Sequence, residues 1–280
     1  MALLLPDRIY LKLRYRMLMG RKLNLDHPIT FQEKLQWLKL YDQKSVYHQM
    51  VDKYDAKQFI ASKVGEKYVI PTLGLYDNVN EIDLSMLPQQ FVLKATFDSG
   101  SYYICKDKSN VNIRKMKKRL TINWNYDYFI FSREWPYKGL KHRIIAEPLL
   151  KDGDSEYIRD CKVFCFNGEP QFIYMSHDIS TLPTTDFYDL SWNKLNMKMR
   201  DENSNVTIEK PKQIDDIIEC SRKLAQDTSF LRVDFYLCDD DFYCGELTFF
   251  HCGGFQNVYP SKWNKMLGDW INLPSKKIVQ

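Results

Sequence analysis

Residues 231–249 read LRVDFYLCDDDFYCGELTF, and the way this stretch divides decides the fold. It splits into two strands, Leu231–Cys238 and Phe242–Phe249, joined by Asp239-Asp240-Asp241. Successive side chains of a strand point to opposite faces. Leu231, Val233, Phe235 and Leu237 therefore share an apolar face with Tyr243, Leu247 and Phe249, with Gly245 between them. Arg232 and Asp234 share the other face with Glu246 and Thr248. With Asp240 at the centre of the turn, Asp234 falls opposite Glu246 and Arg232 opposite Thr248. Two carboxylates side by side across a ladder repel by several tenths of a kcal/mol or more. A hard divalent cation such as Mg²⁺, which takes one or two carboxylates plus phosphate oxygens, resolves that repulsion. The competing reading is a solvated hairpin face on which Arg232 neutralises both acids.

Working outward, other short strands carry the same texture. Ile144–Glu147, Cys161–Phe166 and Gln171–Tyr174 read as strands, and Asn167-Gly168 is a hairpin signal between the last two. A helix is expected from about Pro211 to Gln226, and Ile113–Leu120 reads as a very basic one. From Asp7 to Gly65 apolar residues recur at helical spacing, and Thr30-Phe31-Gln32-Glu33 has the form of a capping box. The expected fold class is therefore mixed α/β. Its expected divisions are a helical region over 1–65, a small lobe over 66–146 and a large lobe with the metal-binding hairpin over 147–280.

Phe91-Val92-Leu93-Lys94-Ala95 puts a lysine in an apolar strand directly before Thr96-Phe97-Asp98-Ser99-Gly100-Ser101. Such a lysine wants an anion, and a small-residue loop brings backbone N–H groups close to phosphate oxygens. The bland alternative is a snorkelling edge lysine beside an ordinary turn, since the loop is no Walker A motif and contains Asp98. Lys53, after Asp52 in an expected helix, and Lys162, alternating with Asp160, each read alone as surface residues.

Composition bounds the answer. Hydrophobic residues make up 44% of the 280 and charged residues 27%, which fits a globular domain and not disorder or a membrane-spanning class. Forty basic against thirty-six acidic residues leave a formal charge of +4, which gives no argument for a nucleic-acid partner. Seven cysteines without C-x-x-C spacing read as reduced thiols of a cytoplasmic protein, Cys161 and Cys165 among them as buried ones. The apolar run Ala2–Leu5 is too short for a secretory core or a membrane span.

Taken in order, Asp52-Lys53, Lys94 before its Gly/Ser loop, Glu147-Pro148-Leu149-Leu150, Arg232-x-Asp234 and Glu246-Leu247-Thr248 resemble the ATP-grasp superfamily. More narrowly the chain resembles the TupA-like ATP-grasp family associated with polysaccharide biosynthesis, through KDKS (106–109), REWPY (133–137), FCFNGEP (164–170), GELTFFHCGGF (245–255) and LGDW (267–270). That resemblance implies two α/β lobes gripping ATP between them after a helical N-terminal region. It implies Lys53, Lys94 and Lys162 as phosphate contacts and Ser99, Gly100 and Ser101 as a flexible phosphate lid. Glu147, Leu149 and Leu150 would form the hinge facing adenine, and Asp160 would approach the ribose. Asp234, Glu246 and Thr248 would hold Mg²⁺, and Arg232 and Lys94 would stabilise the transferred phosphoryl group. Phe97 stands where relatives carry a histidine, and Thr248 where many ATP-grasp ligases carry asparagine.

The implied reaction is carboxylate–amine ligation through an acyl phosphate, for example of an amino acid to a uronic acid, on a small-molecule or glycan substrate that is free or lipid-linked. Two rivals are a glycosyltransferase using Asp239-Asp240-Asp241 as a D-x-D motif and a non-catalytic nucleotide-binding protein. His251 reads either as reaching substrate or γ-phosphate or as a hydrogen-bonded structural residue. Arg114–Arg119 reads either as a solvated helix face or as a contact to phosphate-rich partners or anionic lipid. The basic, apolar stretch Tyr10–Lys22 reads either as a peripheral contact to the inner face of a membrane, if the acceptor is lipid-linked, or as a segment whose apolar residues pack against the neighbouring lobe. The oligomeric state is not legible.

Overall fold

A computed structural model describes residues 5–153, 158–177 and 183–276, so all but Leu5 of the Ala2–Leu5 run lies outside the described residues. The helices are α1 (Asp7–Met19), α2 (Phe31–Tyr41), α3 (Val46–Val51), α4 (Asp55–Val64), α5 (Ile113–Leu120), α6 (Phe129–Ser132), α7 (Ile214–Ala225) and α8 (Lys262–Trp270). The strands are β1 (Gly74–Tyr76), β2 (Phe91–Ala95), β3 (Tyr102–Cys105), β4 (Ile144–Pro148), β5 (Arg159–Phe166), β6 (Glu169–His177), β7 (Thr184–Asp189), β8 (Phe230–Cys238) and β9 (Asp241–Thr248). Two compact units form, one of residues 44–150 and the other of 1–43 together with 151–280.

This division departs from the expected boundaries at 65/66 and 146/147, and packing gives the reason. The Thr30 side chain and Glu33 close a reciprocal capping box at the start of α2. That helix then buries Phe31, Leu35, Trp37 and Leu38 in the larger unit, where Phe31 meets Phe230 edge-on at 5.1 Å. Its polar side chains are tied down there too. Lys34 donates to the Ile271 carbonyl at 2.8 Å, and Gln32 donates to Asn264 Oδ1 at 2.6 Å. By contrast α3 and α4 fold with the smaller unit, where Arg143 reaches both Asp52 and Asp55.

The smaller unit is an antiparallel sheet of order β1-β4-β2-β3. Its core joins Leu87, Phe91, Leu93, Ile144 and Ala146 to Met116 and Leu120 of α5, whose five basic residues point away from that core. The larger unit is an antiparallel sheet of order β7-β6-β5-β8-β9. Helix α7 packs on the face of β5 and β8 that carries Cys161, Val163, Cys165, Leu231 and Val233, all fully buried. Burial pushes the Cys161 and Cys165 thiols far up, so they stay neutral. No described helix is long and apolar enough to cross a membrane.

The β8–β9 hairpin needs one correction. Asp240 does not centre the turn, because Cys238 pairs directly with Asp241 and leaves a two-residue turn at Asp239-Asp240. A bulge between the Phe235–Cys244 and Asp234–Glu246 pairs adds one residue to β9, at Gly245, and restores the expected register beyond it. Asp234 thus faces Glu246 and Arg232 faces Thr248 as expected. On the turn side of the bulge the alternation inverts: Phe242 and Cys244 are buried, whereas Tyr243 is only half-buried.

Candidate functional site

In the larger unit, the sheet face opposite α7 gathers Asp160 and Lys162 from β5, Arg232 and Asp234 from β8, and Glu246 and Thr248 from β9. Pairing sets Lys162 beside Asp234, and Asp234 beside Glu246, across three adjacent strands. The Arg232 guanidinium forks onto Asp234 with Nε on Oδ1 and Nη2 on Oδ2, both at 2.6 Å, and Nη2 also donates to Thr248 Oγ1 at 3.1 Å. Lys162 bridges Asp234, at 3.1 Å, and Asp160. Burial alone raises the Asp234 carboxyl, yet Arg232 and Lys162 outweigh it and hold the group below the usual carboxylate range. Asp160 goes the other way: burial dominates and raises it. Lys162 and Arg232 are both held charged, since their carboxylate neighbours overcome the burial that opposes ionisation.

His251 enters from the tight turn His251–Gly254 that follows β9. Its Nδ1 lies 2.7 Å from Arg232 Nη1. A guanidinium can only donate, so Nδ1 accepts and the ring proton sits on Nε2. Burial, and then the Arg232 charge, push the imidazole well below its ordinary value and keep it neutral. The turn is positioned by α2: Gln36 donates to the Gly253 and Gly254 carbonyls at 2.9 and 3.0 Å, and Lys39 donates to Gly253 at 2.8 Å. Sequence reasoning missed Gln36 and Lys39, and the available signal was polar residues at buried positions of an amphipathic helix.

Carboxylate and hydroxyl oxygens are the donors a hard divalent cation takes, although among the described residues no three His, Cys, Asp or Glu side chains converge closely enough to hold an ion as they stand. Asp234 and Glu246 are directly opposed, Thr248 is adjacent, and Asp160 Oδ1 is buried with no hydrogen-bond partner. Glu246 is half-buried and makes no side-chain hydrogen bond to a described residue. Asp234 Oδ2 accepts from both Arg232 and Lys162, whereas Oδ1 accepts from Arg232 Nε and keeps a second lone pair for a cation, so the Arg232 fork need not open for Asp234 to ligate.

In the smaller unit, Lys94 on β2 reaches Glu147 Oε2 at 2.7 Å, and Lys57 on α4 reaches Oε1 at 2.6 Å. Burial opposes ionisation of Glu147, but the two lysines outweigh it and hold the carboxyl below its usual range. The side chain of the expected adenine-hinge residue is thus buried between two cations, while Leu149 and Leu150 follow β4, half-buried. Lys57, on α4, was not anticipated. Lys53 itself falls in the turn between α3 and α4 and not within a helix. Its backbone N–H donates to Thr96 O at 3.1 Å, and its ammonium to the Asp98 carbonyl, so it braces the loop after β2.

Within that loop Asp98 is fully buried and faces inward. Its carboxylate accepts from the Ser101 hydroxyl and from Asn123 Nδ2, the latter at 2.6 Å. The Asp98 charge is therefore turned inward, and the Ser101 hydroxyl is committed to it. Ser99 and Gly100 are exposed, and Gly100 has φ +109°, open to glycine and strained for other residues. Phe97 is buried, stacked on His142 at 3.8 Å and edge-on to Trp124 at 5.6 Å, which makes it a packing residue. At the β8–β9 turn Asp240 is exposed and pairs with Lys212, while the Asp239 backbone N–H donates to Asp152.

A family model described as TupA-like ATPgrasp matches residues 33–272. No curated protein matches the chain. Among solved structures, D-alanine–D-alanine ligase from Helicobacter pylori shares 14% identity at a TM-score of 0.44, with 82% of this chain and 60% of that one covered. The Bacillus anthracis enzyme shares 15% at 0.42, covering 71% and 56%. The ATP-grasp ligase PsnB, complexed with a phosphomimetic variant of a minimal precursor, Mg and ADP, shares 9% at 0.43, covering 78% and 57%. This chain thus spans little more than half the length of these ligases.

Proposed function

Because the chain belongs to the TupA-like ATP-grasp family, we propose that it is an ATP- and Mg²⁺-dependent ligase-like enzyme that activates a carboxylate and joins it to an amine. One observation carries the reading: Asp234 and Glu246 stand opposite each other with Thr248 adjacent and Arg232 beside them. Asp234, Glu246 and Thr248 would hold Mg²⁺, which supplies charge neutralisation for the nucleotide phosphates.

The chain's own residues supply the rest. Arg232, fixed by Asp234, Thr248 and His251, is preorganised to offset charge on the transferred phosphoryl group, an effect worth a few kcal/mol for each such cation. His251 adds a neutral Nε2–H donor and not a base. Lys94, aimed by Glu147, and Lys53, bracing the Ser99–Ser101 loop, are assigned to phosphate oxygens, and Lys162 to a further phosphate contact. The hinge role stays with Leu149 and Leu150 at adenine, together with Glu147 through its backbone, and the ribose with Asp160. A substrate carboxylate oxygen bonds to the γ-phosphorus as the bond to ADP breaks. The amine then attacks the acyl carbon, phosphate leaves, and the amine proton passes to solvent.

The substrate pair we assign is an amino acid and a uronic acid of a bacterial capsule or cell-surface polysaccharide precursor, handled in the cytoplasm. The support is the family resemblance. Incubation with ATP, Mg²⁺ and such pairs should release ADP only when carboxylate and amine are both present. Protein that binds Mg·ATP yet releases no ADP with any pair sinks the ligase reading. Asp240→Asn should leave turnover unchanged, and a severe loss would favour a sugar-nucleotide site at the turn instead.

A further inference from the structure

Helix α1 breaks the usual rule for a surface helix, which turns its charged residues outward. Its inner side is ordinary, with Leu11 and Tyr15 fully buried. Its outer side is not. Ile9, Leu13 and Met17 follow one another at four-residue spacing, 47%, 57% and 76% exposed, so an aliphatic ridge runs along the middle of the solvent face.

The edges of the ridge are cationic. Lys12 and Arg16 are exposed along one side, and on the other Arg14 leans over the Tyr10 and Phe255 rings. From Arg8 to Lys22 the chain carries six basic residues and no acidic one, although the whole sequence is nearly balanced at forty against thirty-six. An aliphatic ridge bordered by cations, on a helix about 20 Å long, is the arrangement that lies in the plane of an anionic bilayer surface. The ridge enters the acyl boundary while the lysine and arginine stems reach up to the headgroup phosphates.

We propose that α1 is an interfacial helix that docks this protein on a membrane containing anionic lipid. The assignment to lipid, and not to a second protein surface, rests on charge complementarity: Asp7 at the start of α1 and Asp26, paired with Arg8, offset part of the charge, but Lys12, Arg14 and Arg16 border the ridge with no acidic residue between them on the helix, and the ridge itself is formed by flexible aliphatic side chains. It stands independently of the ligase reading, since it involves none of the residues placed there.

The test is co-sedimentation of the intact chain with vesicles of phosphatidylglycerol and phosphatidylcholine, and with phosphatidylcholine alone, at low and high salt. Binding is expected only to the anionic vesicles and to weaken with salt. Leu13→Asp combined with Met17→Asp should lower the vesicle partition constant about ten-fold or more, and Lys12→Gln with Arg16→Gln about five-fold per charge. Far-UV circular dichroism and melting should be unchanged, because these side chains are exposed. The proposal is overturned if the wild-type chain does not sediment with anionic vesicles, or if both double variants bind as it does. It is equally overturned if Arg114→Gln with Lys118→Gln on α5 abolishes binding while the α1 variants retain it. A solution dimer that Leu13→Asp converts to monomer would assign the ridge to a second copy instead.

Discussion

Glu246 and Asp234 face one another, yet removing their charges should have opposite consequences for the fold. Glu246 is half-buried without a side-chain hydrogen bond to a described residue, so Glu246→Gln should leave the melting temperature almost unchanged. The same change should cut Mg²⁺-dependent turnover about 100-fold, the scale of losing one electrostatic stabiliser. Asp234 is buried against Arg232 and Lys162. Asp234→Asn leaves buried Arg232 without its carboxylate and Lys162 with Asp160 alone, and should cost about 3 kcal/mol, read from denaturant unfolding. Equal stability losses in the two variants would mean that the face is structural throughout. Glu147 offers a pH test. Its carboxyl lies below the ordinary value of 4.5 because Lys94 and Lys57 outweigh the burial that opposes ionisation. The unfolded chain therefore takes up this proton first as pH falls, so the stability Glu147 contributes is intact above 4.5 and drains away below it. Glu147→Gln should lower stability at neutral pH, by about 3 kcal/mol, and flatten the acid-unfolding curve below that point.

At the scale of elements, two glycines show how backbone decides where side chains go. Gly245 supplies the extra residue that brings Glu246 opposite Asp234, and a Cβ there would fall 2.5 Å from the Tyr236 ring. Gly245→Ala should cost about 1 kcal/mol as that ring shifts. It should also weaken Mg·ATP binding in calorimetry, whereas an exposed alanine substitution elsewhere on β9 should not. Gly268 of α8 is less forgiving: a Cβ there would come within 2.1 Å of the Ile29 carbonyl and 2.9 Å of the Phe31 nitrogen. Those are backbone atoms at the start of α2 and cannot rotate away. Gly268→Ala should destabilise by about 3 kcal/mol or more, and a melting curve like the wild type's would show that α2 and α8 do not pack this tightly.

For the whole molecule, the first 43 residues form part of the larger unit and not a preface to it. Removing them deletes Phe31, Leu35 and Leu38 from its core and strips Gln36 and Lys39 from the turn that carries His251. The shortened chain should lose cooperative melting, followed by calorimetry, and an unaltered transition would refute this division. The sequence by itself determined the main helices and strands and which face carries the carboxylates, while their facing register was reached through a bulge at Gly245 that offsets the misplaced turn centre. Two-residue alternation around Asp239-Asp240-Asp241 marked both strands, a capping box marked α2, and Asn167-Gly168 marked the β5–β6 turn, all signals that reside within a few consecutive residues. What only tertiary structure decided is which charges meet. That Lys162 bridges Asp160 and Asp234, that Glu147 is shared by Lys57 and Lys94, and that α2 holds the His251 turn depend on strands and helices brought together from distant parts of the chain. A local pattern says which face a side chain occupies. It cannot say which partner arrives there from a distant part of the chain, because that choice is made by the packing that buries both.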